Sequence, residues 1–430
     1  MRIKISSLVV LLLTVLTFGC TDRTVRTFTA NVPVYESLET WRSKSITMEA
    51  PRSLQNPGRI YVYGNLLLVN EYMKGLHFFD NSQPSSPVNL GFLPVQASAD
   101  IAVRENTLYL DSYKDLLSFD ITDPRNPVLK DRATEVFDYV AYENFAYLDG
   151  FNRNYPIANV DPSKGIVVGW KVGEYTSDDM YNGGEMVSVT PMNNFGGGTG
   201  NGRTTNQSSV GIAASTAKFA LEDHYLYAIN NWQLSTFDVA TGINHLNDVD
   251  LNWSGFPETV FPAEGHLFIG TTMGMLIFNL SNPSSPTYLS QYDHGTGCDP
   301  VVVQGDKAFL TLSTGRPCTG AGVNVLEVLD ISNINAPRLM YTYNMTNPRG
   351  LGVANNSLFL CDGPDGLKVF DKTDLSAIEV NMTAQFPGIV ANDVIPLGTK
   401  LIMTGPAGIY QYDCSDLRNI TQLSLIPVQL

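Results

Sequence analysis

Eight times along the chain a strand-like run closes on an apolar residue followed by Asp or Asn. The anchors are Asp80, Asp120, Asp161, Asp238, Asn279, Asp330, Asp371 and Asp413, and the steps between them are 40, 41, 77, 41, 51, 41 and 42 residues. A sustained period of this size marks a repeat architecture. The second repeat shows the unit most clearly. Ile101-Ala102-Val103 reads as strand A, Thr107 to Asp111 as strand B, Leu116 to Asp120 as strand C, and Val128 begins strand D. Four short antiparallel strands in about 40 residues make one propeller blade.

The turn after strand C repeats as well. Pro84, Pro124 and Pro283 stand four residues past their anchors, and Pro87, Pro127, Pro286 and Pro337 stand seven past theirs. Proline fixes φ and donates nothing to a ladder, so it belongs between strands. The anchor carboxylate is placed to accept N–H groups of that turn. The units run over 58–95, 99–134, 137–173, 218–251, 258–292, 299–343, 349–384 and 391–430. The third is degenerate after Asp161-Pro162. The long step holds an excursion at 174–217, rich in Gly, Ser and Asn, and a ten-residue insertion lies between strands B and C of the sixth repeat. The expected fold is all-β, an eight-bladed β-propeller closed into a ring to remove sheet edges, with seven blades plus an irregular segment as the alternative.

The strand C segments, such as Gly75-Leu76-His77-Phe78-Phe79-Asp80, Leu116-Leu117-Ser118-Phe119-Asp120 and Met275-Leu276-Ile277-Phe278-Asn279, resemble the LVIVD repeat of exported bacterial propeller-type proteins. The resemblance extends from residue 58 onward and implies a fold, with almost no functional assignment.

Residues 1–20 read as an export signal. Arg2 and Lys4 precede the apolar run from Leu8 to Phe18, which is short for a bilayer span. Gly19-Cys20 resembles the lipoprotein signal, in which the cysteine is lipidated. That implies a lipid anchor in the outer membrane of a Gram-negative bacterium, on its periplasmic or surface side. Residues 21–57 then form a tether, with a short helix expected around Tyr35 to Trp41. Without the signal the chain has 25 Lys and Arg against 42 Asp and Glu, a net charge of −17, which argues against a nucleic-acid partner.

About twenty residues before each anchor, at the start of strand A, stand Arg59, Asp100, Asp138, Lys218, Glu258, Asp299, Arg349 and Asp393. In a propeller these positions ring one mouth of the central channel. One reading is a polar ligand or a divalent cation held at the axis; the other is that each carboxylate binds backbone N–H groups of its own blade. The neighbouring turns add Tyr72, Tyr113, Phe151, Arg153, Trp232, Trp253, Met273, Tyr292, Asp293 and His294, groups suited to a sugar face or a protein, or else to filling space between blades. Cys298 and Cys318 are placed for a disulfide on the mouth face, and Cys361 and Cys414 are expected to stay free. The five histidines lack metal spacing, and neither a nucleophile elbow nor a phosphate loop is present.

The function expected is a monomeric, non-enzymatic binding or scaffold protein, without a resident cofactor, that recognises a protein or carbohydrate at the mouth. The alternatives are a carbohydrate-active or other hydrolase or lyase using paired carboxylates, Asp299 with Asp293 or Asp100 with Asp138, and a purely structural envelope component.

Overall fold

The computed structural model describes residues 26–137, 148–177, 212–213, 217–230, 232–294, 300–313 and 323–429. Two compact units emerge, one from 1–38 with 148–190 and the other from 39–147 with 191–430.

The larger unit is a propeller. Its described residues form seven four-stranded blades spanning 57–93, 101–133, 219–250, 257–293, 301–344, 351–386 and 393–427, each in strand order A-B-C-D. Strands A of successive blades are neighbours, so they line the axis. Strands A to C are packed on both faces and read as nearly continuous apolar runs; strand C of blade one is buried from Gly75 to Phe79 and surfaces only at Asp80. Strand D lies outermost and is less buried, as in Val128–Ala133, where no residue is fully buried. Each blade interface holds its own apolar cluster. Leu68, Phe78, Val103 and Phe119 join blades one and two. Ile60, Val69, Ile395 and Ile409 join blades one and seven, and the five interfaces between are filled alike.

Two local devices recur. Each anchor side chain accepts the N–H two residues ahead, as Asp80 does from Ser82 at 2.9 Å and Asp120 from Thr122 at 2.9 Å. In all seven blades the C–D pairing slips by one residue just before the anchor, for example between Phe78 and Phe79 and between Ser118 and Phe119. A bulge at a fixed place sharpens the twist of the outer strand.

Seven blades correct the expectation of eight and match its alternative. The third repeat is not a blade. Within the smaller unit its last segment, Ile166–Ser177, pairs antiparallel with Arg26–Glu36 from the tether, in register from Arg26↔Ser177 to Glu36↔Ile166. Asp161 still makes its turn, accepting Ser163 N–H at 3.0 Å. That bond is local and needs no sheet around it, which is why the motif misled.

The expected helix is present as Leu38–Ser43. Arg42 grips the buried Asp115 of blade two with two hydrogen bonds of 2.8 and 2.6 Å, and Arg132 adds a third at 3.0 Å. The chain then runs along blade one, where Glu49 and Phe92 exchange backbone bonds of 2.7 and 3.2 Å. Leu54 accepts Gln429 N–H at 2.8 Å beside the seam with blade seven. No strand is exchanged between the first and last blades among the described residues. Ile212–Ala213, inside the excursion, pairs on the inner edge of strand A of blade one, so part of the excursion follows the channel wall. Among the described residues no helix is long and apolar enough to cross a membrane.

Candidate functional site

The strand A starts converge at one end of the channel, and from blade one to blade four their charges alternate. Arg59 of blade one pairs with Asp100 of blade two at 2.6 Å. Asp100 also accepts the Lys218 backbone N–H of blade three, both of its oxygens at 3.2 Å, and is only 3% exposed. Lys218 and Glu258 of blade four come next, within electrostatic reach of each other. Across the ring, Arg349 of blade six donates to Asn392, and the buried Asp393 of blade seven accepts Val394 N–H at 2.7 Å. Such a ring balances most of its own charge. Among the described residues no three His, Cys, Asp or Glu side chains gather as a metal site requires.

A second tier of carboxylates was not singled out from the sequence. Glu71 takes Gln55 N–H at 3.0 Å together with the Asn56 N–H. Asp111 takes Ala99 and Asp100 N–H at 2.8 and 2.9 Å. Asp362 takes Thr346 and Asn347 N–H at 3.0 and 2.7 Å. All three stand within one residue of the end of strand B and clamp the connection that enters strand A. All three stand nine residues before an anchor. Burial, with the Asp100 charge beside it, pushes the Asp111 carboxyl up to about 6. Burial and the Arg59 charge hold the Lys218 ammonium below its usual range. The buried His77 hydrogen-bonds Glu71 at 3.1 Å.

The aromatic candidates divide. Tyr113 is 3% exposed and covered edge-on by Trp41 at 5.5 Å. Tyr72 is half-buried. Trp232 is 43% exposed and meets Phe256 edge-on at 5.2 Å, while Lys218 Nζ lies 5.2 Å from the Phe256 ring centre. Asp293 is exposed at the end of strand D of blade four, and the adjoining His294 N–H bonds Met273 at 3.2 Å. Arg153 belongs to the smaller unit. Asp138, Asp299, Cys20, Cys298 and Cys318 lie outside the described residues. Cys361 and Cys414 are free, buried thiols, both pushed up by burial.

The LVIVD repeat model matches residues 97–135, 262–294 and 319–345. No curated protein matches the chain. Similar solved structures include a functionally unknown protein from Desulfotomaculum acetoxidans, 9% identical over 86% of this chain and 97% of that one with a TM-score of 0.50. Others are Hsv2 of Kluyveromyces lactis, at 10% over 85% and 98% with 0.48, and BamB from Moraxella catarrhalis, at 8% over 88% and 90% with 0.45. The first is a likeness of fold alone, and the other two carry no inference for this chain. The chain thus carries LVIVD repeats, and the matched stretches fall on blades two, four and five of its propeller.

Proposed function

We propose that this is a non-enzymatic binding propeller that recognises a protein or carbohydrate at the strand A mouth, held by a lipid on Cys20 at the outer membrane of a Gram-negative bacterium. The commitment of mouth charges to fixed partners within the protein carries this reading. Asp100 and Asp393 are buried and hydrogen-bonded in place, whereas hydrolysis by paired acids needs two carboxyl groups that a substrate reaches. What the mouth offers a ligand is the Trp232 face beside Phe256 and Lys218. Partly exposed aromatics over a fixed polar frame suit recognition. Capture of cross-linked partners and glycans by the full chain, compared with Trp232→Ala, tests the face; equal capture by both proteins removes it. Intact-mass analysis of the envelope fraction tests the anchor, which a Cys20 without a diacylglyceryl adduct rejects.

A further inference from the structure

Trp253 and Tyr288 are exposed by 49% and 47%, and neither belongs to the apolar clusters on the two sides of blade four. They do not fill an interface between blades. Their rings meet at 87° with centroids 5.0 Å apart, forming an open right-angled corner on the outer side of blade four.

Both rings are held. The Trp253 indole N–H donates to the Asp250 carbonyl at 3.0 Å. The Tyr288 hydroxyl donates to Gln291 Oε1 at 3.1 Å, and Gln291 Nε2 donates to Asp293 Oδ1 at 2.7 Å. The buried Phe278 ring braces Tyr288 from behind at 5.9 Å. This chain fixes the direction of the Gln291 amide and leaves its second N–H, together with the other Asp293 oxygen, unspent among the described residues.

We infer that this corner is a subsite for a neutral pyranose unit of a glycan. A pyranose has an apolar C–H face and a rim of hydroxyls. An aromatic wall takes the face, and a fixed amide and carboxylate take the rim. An anionic sugar is disfavoured by the exposed Asp250 and Asp293 and by a chain charge of −15. A purely apolar protein contact would leave the amide and carboxylate without partners when covered, at a desolvation cost. The inference rests on the reading of the protein as a binding propeller, but not on the mouth.

Affinity electrophoresis of the full chain in gels containing laminarin, xyloglucan, galactomannan or alginate tests it. The result expected is retardation by at least one neutral polysaccharide and none by alginate. Trp253→Ala and Tyr288→Ala lose at least ten-fold in affinity with unchanged melting curves, and a change at Val380 of blade six, which is 86% exposed, to Ala retains affinity. The inference falls if no neutral polysaccharide retards the protein, if Trp253→Ala and Tyr288→Ala are retarded like the parent, or if Trp232→Ala alone abolishes retardation. The last result places the glycan at the mouth and leaves the binding reading standing.

Discussion

Asp111 is the residue where the mouth's chemistry is most open to measurement. Its carboxyl is raised from 3.8 to about 6, first by burial and then by the Asp100 charge. The folded chain therefore holds this proton more tightly than the unfolded chain. The stability it contributes is full below pH 3.8 and is lost as the pH rises through 6. Asp111→Asn keeps an oxygen for the Ala99 and Asp100 N–H groups, so the account expects a gain of about 1 kcal/mol at pH 7 and a flatter profile between pH 4 and 6. Urea titrations across that range check it, and an Asn variant with parental pH dependence would show the shift is absent. At this scale the anchors were legible because an Asp bonding two residues ahead is local chemistry. Glu71, Asp111 and Asp362 were not, because their partners lie 11 to 16 residues away in sequence and only the folded connection brings them close.

At the scale of elements, strand C begins under a tight constraint. Gly75 and Gly274 both stand five residues before an anchor, with φ of 144° and 154°. A Cβ there would lie 2.2 Å from the Leu93 carbonyl oxygen and 2.1 Å from that of Tyr292. Strand D passes too close for any side chain. Gly274→Ala is expected to cost about 2–4 kcal/mol, read as an earlier urea midpoint at unchanged m; a midpoint within error of the parent would deny the close approach. Blade two was readable from its four strand-like runs and its turn chemistry together. The third repeat was misread because its turn signal survives while its sheet partner is Arg26–Glu36, more than a hundred residues upstream. Nothing periodic links those two segments, so the pairing was hidden from a search for repeats.

At the scale of the molecule, seven apolar clusters make the seven blade interfaces, and one of them closes the propeller between its ends in sequence. Leu54 sits in that seam, 1% exposed, with its carbonyl bonded to Gln429. Leu54→Ala leaves a cavity there and is expected to lower stability by about 2–5 kcal/mol. Hydrogen exchange should rise first in blades one and seven; uniform loosening of all blades would argue against a local seam. Four-stranded blades and a closed array followed from the period, whereas their number depended on what became of one degenerate repeat. That point has a direct chemical test. Thr27 and Thr176 face each other across the paired segments with Oγ1 atoms 2.9 Å apart. In Thr27→Cys, Thr176→Cys protein, mild oxidation followed by peptide mass mapping should find the two positions linked by a disulfide. Unlinked cysteines at these positions in folded protein would contradict the pairing, and with it the count of seven.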